Sequence, residues 1–332
     1  MHKTFASCFN KRSVNNVMNN LKYLACIITS LLVCGCQNNT NNSSSINESS
    51  LNEISNSSEE TSSSEIEKEK ISVVLLAGQS NMVGTTSWEY LVDDENYEEY
   101  RMGYSDILIA YDGICRFRPV KLTIGGQNPS MFGPEIGMAS ELSYNFYNDK
   151  VVFIKYAVGG TRINPASIDV SWTPPIDGNK PGGLYTIFTN FVHNALETLS
   201  ERYEVSLDAM CWMQGESDCD TTEMANKYEY YLENFVSSLR EEFKEYNSDF
   251  AFIDAYISQF WGSGTLYKTI NKAKYNLTLK DNNHYIIDTI ENGLTYNKEP
   301  LLSPDFCHYD SQSEILLGRL FARKYMELYP LS

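Results

Sequence analysis

The sequence predicts an α/β fold, a three-layer α/β/α sandwich with a mainly parallel sheet of about five strands. From Ile71 onward, apolar runs of strand length alternate with amphipathic stretches of helix length. The apolar runs are nearly continuous in β-branched and aromatic residues, which is typical of strands buried on both faces. Because strand–helix–strand alternation gives a parallel sheet covered by helices, we expect one folded domain over residues 71–332.

Five strands and five helices are predicted in this domain. The strands are the apolar runs at 71–77, 151–157, 207–213, 250–256 and 285–288. The helices have apolar residues at three- and four-residue spacing and lie at 134–147, 184–199, 223–246, 265–275 and 311–328. The first helix opens with a Gly-Pro pair, where proline is favoured. The long stretch 81–132 contains no predicted element and is expected to border a site.

The first 35 residues have the features of a secretory leader. Lys and Arg residues precede an apolar stretch that begins at Tyr23, and no Asp or Glu occurs there. The stretch is too short to span a membrane in the mature protein and suits a signal peptide. It ends in VCGC, which is similar to a bacterial lipoprotein box, so we expect residues 1–35 to be removed and Cys36 to be lipidated. The alternative is an ordinary signal peptide in which Cys36 has no role.

The lipoprotein interpretation predicts an exported bacterial protein that is anchored to the cell membrane through Cys36 and faces outward. Residues 36–70 are rich in Ser, Asn and Glu and contain no aromatic residue. Such a segment cannot bury enough apolar surface to offset the entropy of ordering, so we expect a disordered tether. Met18 would give a leader of more typical length than Met1, and the sequence does not decide which of the two is the start.

The net charge and the cysteine spacing limit which partners and metals can be expected. A net charge of -17 at pH 7 argues against nucleic acid as a partner, because proteins that bind it have basic patches. Besides Cys36, the mature chain contains Cys115, Cys211, Cys219 and Cys307. In an exported protein these can form disulfides or remain as buried thiols. Their spacing matches no metal pattern, so no metal site is predicted from them.

The segments next to the predicted strands are rich in glycine and in side chains capable of catalysis. GQSN follows the first strand, VGGTR the second and QGESD the third, and SPDFCHYD precedes the last helix. Ligands of such sheets bind beyond the carboxyl ends of the strands. We therefore expect these four segments to meet in one site.

Ser80 of the GQSN segment is the candidate nucleophile for acyl transfer, a reaction that also needs a base and donors for the oxyanion. Of the four histidines, one is lost with the leader, and His193 and His284 are expected to be surface or packing residues. His308 precedes the last helix, with Asp305 three residues earlier. On a tight turn this spacing can aim the carboxylate at the ring, which makes His308 the candidate base.

In order, these segments resemble those of the SGNH-hydrolase superfamily. They are most similar to its sialate O-acetylesterase and acetylxylan esterase branch, carbohydrate esterase family six. The matching residues are Gly78-Gln79-Ser80-Asn81-Met82, Gly133-Pro134-Glu135, Gly159-Gly160, the run WMQGESD from Trp212, and Asp305 with His308. The resemblance extends from Ile71 to about Pro330 and implies the SGNH, flavodoxin-like form of the predicted sandwich.

The resemblance implies a catalytic triad. Ser80 would be the nucleophile, and His308 would act first as general base and then as general acid. Asp305 would orient His308. Glu216 of the QGESD segment is the alternative acid partner of the histidine, and the sequence does not decide between the two carboxylates.

The resemblance also implies an oxyanion hole and contacts to a sugar. The hole would consist of the N–H groups of Ser80 and Gly160 and the side-chain amide of Gln214, where the wider superfamily more often has Asn. Residues near the site are expected to contact the substrate, and they are Gln79, Asn81, Arg162 and Trp172. Arg162 could instead pair with a carboxylate of the protein, and Trp172 could be an ordinary packing residue.

The implied activity is that of a serine esterase that removes O-acetyl groups from carbohydrate without a cofactor. The substrate would be acetylated xylan or another polysaccharide, or sialic acid. Two alternatives stay open, namely a surface lipoprotein that binds glycans without hydrolysing them and an SGNH hydrolase that acts on another small ester. The presence of Ser80, Gln214, Asp305 and His308 favours an enzyme.

Overall fold

The computed structural model describes residues 67–145, 150–176, 178–259, 264–296, 298–301, 304–305 and 308–330. The predicted leader, the predicted lipidation residue Cys36 and most of the predicted tether lie outside these ranges, as does Cys307. The first strand begins at Glu69. Glu69 and Lys70, which the sequence assigned to the tether, therefore belong to the sheet.

The strands of the described ranges form two sheets. In chain order they are β1 (Glu69–Gly78), β2 (Thr86–Ser87), β3 (Tyr104–Tyr111), β4 (Ile114–Val120), β5 (Met131–Phe132), β6 (Val151–Ala157), β7 (Tyr203–Met213), β8 (Ala251–Ala255) and β9 (His284–Ile287). The main sheet has the strand order β4-β3-β6-β1-β7-β8-β9. It is parallel except for the β3–β4 pair, and β2 and β5 form a separate antiparallel pair.

The α-helices of the described ranges alternate with these strands. They are α1 (Ser80–Val83), α2 (Tyr97–Met102), α3 (Glu135–Tyr144), α4 (Gly183–Ser200), α5 (Thr222–Glu242), α6 (Lys244–Asn247), α7 (Leu266–Thr278) and α8 (Ser311–Leu328). Short 3₁₀ helices lie at Trp88–Leu91, Pro165–Val170 and Ser217–Asp220. Helix α3 packs on α8, and α5 packs on α7. In the described part of the chain, no helix has the length and hydrophobicity needed to cross a bilayer.

The predicted sandwich is confirmed, and each predicted strand and helix has a counterpart in the structure. The ends differ by a few residues, and the helix predicted at 223–246 is divided into α5 and α6. Strand β1 lies at the centre of the main sheet, and Val73, Val74 and Leu75 within it have no exposed surface. Full burial of such side chains contributes about 1.5–3 kcal/mol each to the free energy of unfolding. This packing fixes the strand that leads to Ser80.

The hairpin of β3 and β4 is the main element that the sequence pattern does not indicate. Strand β4 carries Arg116 and Arg118 and is largely exposed or half-buried, so it contains no apolar run. At the turn, Asp112 has a φ of 56° and Gly113 a φ of 78°, which is typical of a type I′ hairpin. Part of the stretch 81–132 therefore completes the edge of the sheet instead of bordering a site.

Three of the four cysteines of the folded domain lie in the described ranges, and all three are free thiols. Cys115 is partly buried, whereas Cys211 and Cys219 are fully buried. Burial raises the pKa of the Cys211 and Cys219 thiols, which keeps both protonated and unreactive.

Candidate active site

The carboxyl ends of β1, β6 and β7 bring three of the predicted segments together. In the sheet register, Gly78 of β1 lies opposite Ala157 of β6 on one side and Met213 of β7 on the other. The segments that follow these positions carry Ser80, Gly159–Gly160 and Gln214–Glu216. They meet at one edge of the sheet, as the sequence predicts.

Ser80 lies at a sharp turn between β1 and α1. The Gln79 N–H donates to the Met213 carbonyl oxygen at 2.9 Å, and Ser80 begins the helix with 7% of its surface exposed. Gly78 has a φ of 149°, and a Cβ there would lie 2.0 Å from the Met213 carbonyl oxygen. Only glycine allows β1 to approach β7 so closely. This approach fixes the position of the serine.

Gly159 and Gly160 pass directly beside Ser80. A Cβ on Gly159 would lie 3.5 Å from the Ser80 Cβ, and Gly160 has a φ of 71° with no atom within 4 Å of its own Cβ position. Among the described residues, neither the Ser80 N–H nor the Gly160 N–H donates a hydrogen bond to a protein acceptor. Two such backbone donors beside a serine hydroxyl can form an oxyanion hole.

Asp305 holds His308 by both its ring and its backbone. The His308 Nδ1 lies 2.6 Å from Asp305 Oδ2, and the His308 N–H donates to Asp305 Oδ1 at 3.3 Å. The His308 side chain is 28% exposed. A neutral histidine that donates from Nδ1 to a carboxylate has Nε2 as its accepting nitrogen. The predicted spacing of Asp305 and His308 thus gives the contact that a general base needs.

Asn81 connects the serine turn to the histidine segment. Its Nδ2 donates to Glu216 Oε1 at 2.9 Å, and its Oδ1 accepts the Tyr309 N–H at 3.1 Å. Only 2% of the residue is exposed. Because the nitrogen and the oxygen of this buried amide both bond within the protein, the structure gives Asn81 an internal role, and the substrate contact stays a prediction. Since Asn81 follows Ser80 and Tyr309 follows His308, this side chain positions the base relative to the nucleophile.

Ser80 and His308 lie in one site without a direct hydrogen bond between them. No hydrogen bond joins the Ser80 hydroxyl to the His308 ring among the described contacts. Catalytic hydrogen bonds are often long in the absence of substrate and tighten when substrate binds. The hydrogen bond from the Tyr309 N–H to Asn81 joins the segment that carries His308 to the turn that carries Ser80.

Glu216 is buried in the site, with 1% of its surface exposed. Its Oε1 accepts the bond from Asn81, and among the described contacts no hydrogen bond joins it to His308. Burial raises the pKa of the Glu216 carboxyl, and the Asn81 bond and the charges of Lys274 and His308 offset part of that effect. Of the two predicted acid partners, Asp305 makes the hydrogen bond to the ring.

Gln214 supports the site from inside instead of facing it. Its Nε2 donates to Asp218 Oδ2 at 2.7 Å and to the Thr161 carbonyl at 3.0 Å, and its Oε1 accepts the Tyr228 hydroxyl at 3.0 Å. The side chain has no exposed surface. An amide that donates both hydrogens within the protein cannot also donate to an oxyanion. The predicted oxyanion role of Gln214 is therefore wrong, and the residue instead fixes Thr161 beside Gly160.

Asp218 belongs to the same buried network, and no role for it follows from the sequence beyond its place in QGESD. Its carboxylate accepts the Gln214 amide and the backbone N–H groups of Ile163 and Asn164, the latter two at 3.0 and 3.1 Å. Burial raises the pKa of Asp218 to about 6, against the opposing effect of these donors. The carboxylate joins the segment after β7 to the segment after β6.

Gln79 is also a buried connector. Its Oε1 accepts the N–H groups of Gly215 and Ser217 at 3.4 and 3.3 Å. The residue has no exposed surface. Its side-chain oxygen thus holds the segment after β7 against the serine turn. Its Nε2 donates no hydrogen bond to the described residues, and the substrate contact by Gln79 stays a prediction.

Arg162 and Trp172 do not face the substrate either. Arg162 donates to the Ser217 carbonyl at 3.0 Å and pairs with the Asp220 carboxylate. Trp172 has no exposed surface, and its ring centroid lies 5.3 Å from that of Trp212. The predicted sugar contact by Trp172 is wrong because the ring belongs to the aromatic core. Arg162 makes an ion pair within the protein, which is the alternative that the sequence left open.

The other histidines of the described domain have structural roles, as expected. The His193 Nε2 lies 2.9 Å from Glu242 Oε1 on the surface. His284 is buried, and its ring centroid lies 5.0 Å from that of Phe252. Within the described ranges, no three or more His, Cys, Asp and Glu side chains are grouped so that they could bind a metal.

Glu299 anchors the segment that carries Asp305, and the sequence gives no signal for it. Its Oε2 accepts the Thr86 hydroxyl at 2.7 Å and the Ser311 N–H at 2.9 Å, and its Oε1 accepts the Ser311 hydroxyl at 2.6 Å. Its carbonyl oxygen accepts the Asp305 N–H at 2.9 Å. One residue thus joins β2, the start of α8 and the partner of the histidine.

The chain belongs to the carbohydrate esterase family described as sialic acid-specific acetylesterase, whose sequence model matches residues 70–327. The match covers nearly all of the folded domain and includes all four predicted segments. The predicted resemblance to the sialate O-acetylesterase branch is thereby confirmed, and the protein is a carbohydrate O-acetylesterase. No curated protein sequence matches the chain.

Solved structures share the fold at low sequence identity. A protein from Arabidopsis thaliana is 20% identical with a TM-score of 0.57, and the similarity covers 77% of this chain and 98% of that one. NanS is 15% identical with a TM-score of 0.62, over 80% of this chain and 99% of that one. A carbohydrate acetylesterase from Xanthomonas citri is 13% identical with a TM-score of 0.50, over 77% and 56%. At these identities the likeness establishes the fold alone.

Proposed function

We propose that the protein is a serine esterase that removes O-acetyl groups from carbohydrate through an acetyl-enzyme. The observation that carries the proposal is the 2.6 Å contact between His308 and Asp305 in the same site as Ser80. The two backbone N–H groups beside the serine and the membership of a carbohydrate esterase family support the same chemistry.

Acylation begins when the Ser80 hydroxyl oxygen attacks the carbonyl carbon of the acetyl ester. His308 Nε2 accepts the hydroxyl proton, and Asp305 stabilises the imidazolium through Nδ1. The oxyanion of the tetrahedral intermediate accepts hydrogen bonds from the N–H groups of Ser80 and Gly160. When the bond to the sugar oxygen breaks, His308 donates its proton to that oxygen. The sugar leaves with a free hydroxyl, and the acetyl group remains on Ser80.

Deacylation repeats these steps with water in place of the serine. His308 accepts a proton from water, which attacks the acetyl carbonyl, and the same backbone N–H groups stabilise the second oxyanion. The bond to the Ser80 oxygen then breaks, the serine recovers its proton from His308, and acetate leaves. The steps use only side chains, backbone groups and water, so the proposal includes no cofactor.

Acetylated xylan or another polysaccharide and O-acetylated sialic acid are the two substrates consistent with this mechanism. The family description names sialic acid, and the Xanthomonas citri protein of the same fold is a carbohydrate acetylesterase. A parallel assay of acetate release from both kinds of substrate distinguishes them. Release from neither would favour a glycan-binding lipoprotein or an esterase of another small ester.

Replacing Ser80 with Ala should lower the turnover of an aryl acetate and of an acetylated carbohydrate by about 10⁴-fold or more, because the nucleophile is lost. Initial rates of acetate release measure the change. Ser105→Ala is a matched control, since Ser105 is an exposed serine on β3. Turnover by Ser80→Ala at the rate of the control would refute the mechanism.

The two carboxylates near His308 should differ in their effect on kcat. Asp305→Asn should lower kcat by about 10⁴-fold, the loss expected when the orienting carboxylate of a triad is removed. Glu216→Gln should lower it far less, since the amide oxygen can still accept the bond from Asn81. The kcat values of the two variants on an aryl acetate provide the test. The opposite order of losses would assign the orienting role to Glu216.

We also propose that the protein is an exported bacterial lipoprotein that is held at the cell membrane by a lipid on Cys36 and faces outward. The charged and apolar pattern of residues 1–35 and the VCGC sequence support this proposal. Cells fed an alkyne fatty acid should label the wild-type protein and not the Cys36→Ser variant. An unlabelled wild-type protein would contradict the lipid anchor.

A further inference from the structure

Two buried charges lie next to the serine turn, and the proposed mechanism uses neither of them. Lys155 interrupts the apolar run of β6 and is 2% exposed, and Glu135, the last residue of the Gly133-Pro134-Glu135 segment, has no exposed surface. The Lys155 Nζ lies 2.5 Å from Glu135 Oε2. The attraction within a buried ion pair often fails to offset the cost of removing both charges from water. The stability of the fold is therefore a weak reason for this pair.

Lys155 makes a hydrogen bond to the short helix that begins with the nucleophile. Its Nζ donates to the Val83 carbonyl oxygen at 3.0 Å. Val83 is the last residue of α1, and the next residue, Gly84, donates its N–H to the Ser80 carbonyl oxygen at 3.0 Å. Because α1 is about one turn long, a contact that fixes its last residue also fixes its first. The ammonium group therefore holds the turn that carries Ser80.

Lys155 also belongs to the strand that leads to the second oxyanion donor. In the parallel register of β6 and β1 it lies opposite Leu76, and Gly160 follows it by five residues. The hydrogen bond from Lys155 to Val83 thus joins the two elements that supply the N–H groups of the proposed oxyanion hole. A shift of one element against the other would move the Ser80 hydroxyl away from the Gly160 N–H, and such small displacements slow catalysis.

Glu135 holds the ammonium group in this place. Its Oε2 accepts the hydrogen bond from Lys155, and its Oε1 accepts the Gly133 N–H at 2.9 Å. A Cβ on Gly133 would lie 2.7 Å from Glu135 Oε2, 2.8 Å from Lys155 Nζ and 3.1 Å from the Gly84 Cα. Glycine at position 133 therefore leaves the space that the pair occupies, and the pair lies close to the end of the serine turn.

Two more carboxyl groups lie near the pair. Burial and the charge of Glu135 raise the pKa of Glu314 well above its ordinary value, and burial raises the pKa of Asp112. The positive charge of Lys155 opposes both of these shifts. A variant that removes Lys155 alone would leave Glu135 as an unpaired buried charge, which is strongly destabilising. An informative variant therefore removes both charges together.

We propose that Lys155 and Glu135 are positioning residues for the nucleophile, which hold Ser80 in place against the Gly160 N–H without touching the substrate. The inference rests on the proposed esterase function, and it assigns a role to the buried acid of the Gly133-Pro134-Glu135 segment. Acylation and deacylation use the same backbone N–H groups, so loss of the pair should slow both steps. The expected result is a lower kcat at a nearly unchanged KM.

The double variant Lys155→Met/Glu135→Gln tests the proposal. It removes both charges at similar side-chain volume, and the Gln oxygen can still accept the Gly133 N–H. We expect kcat for an aryl acetate to fall by about 10-fold to 100-fold, the loss that a small misplacement of reacting groups causes. KM should stay close to the wild-type value, and the variant should still unfold in a cooperative thermal transition. Steady-state kinetics and a thermal melt measure these quantities.

Arg240→Met is the matched control. Like Lys155, Arg240 joins a carboxylate to backbone oxygens, since it donates to Asp281 at 2.6 Å and to the Phe250 and Asn283 carbonyls at 3.1 Å each. Phe250 and Asn283 precede β8 and β9, at the end of the sheet opposite to Ser80. This variant should lower the thermal midpoint and leave kcat and KM at their wild-type values.

The possible outcomes separate the positioning role from the esterase function. A folded double variant with the kcat of the wild type would overturn the positioning role. A double variant that does not fold would overturn it as well, because the pair would then serve the fold. An equal fall in kcat for Arg240→Met would show that any such link has the same effect. These three results leave the esterase function intact, whereas a wild-type protein that hydrolyses no acetyl ester would refute both together.

Discussion

The geometry of the site depends on the buried amide of Asn81. This residue follows the nucleophile, donates to Glu216 at 2.9 Å and accepts the Tyr309 N–H at 3.1 Å. Because Tyr309 follows His308, one side chain sets the distance between base and nucleophile, although these residues are far apart in the sequence. Leaving a buried polar group without its partner costs about 1–3 kcal/mol. Folding therefore stabilises the arrangement that catalysis needs, before any substrate binds.

Other buried side chains join the segments that follow the strands in the same way. Gln79 and Gln214 join the serine turn, the segment after β6 and the segment after β7, and Asp218 joins the last two of these. All three side chains are buried. Much of the GQSN and QGESD motifs thus serves as an internal framework. The groups left for chemistry in the proposal are the serine hydroxyl, two backbone N–H groups and a histidine held by a carboxylate.

The main sheet and its helices could be predicted because buried parallel strands are continuous apolar runs. The site could be predicted because its reacting residues stand next to the ends of these elements. The β3–β4 hairpin could not, since its edge strand carries arginines among its apolar residues and is largely exposed or half-buried. The direction of the Gln214 amide also could not be predicted, because an amide suits a buried network and an oxyanion hole equally well. Glu299 was missed because its partners, Thr86 and Ser311, come together only in the folded chain.

Acetyl transfer through Ser80 can be observed directly. Aryl acetates acylate a serine esterase quickly, so an acetyl-enzyme can accumulate during turnover. Rapid acid quenching of the enzyme with an aryl acetate, followed by mass spectrometry of its peptides, locates the acetyl group. We expect a single acetyl group on the peptide that contains Ser80 and none on that peptide in the Ser80→Ala variant. An acetyl group on a different residue whose replacement abolishes turnover would contradict the account.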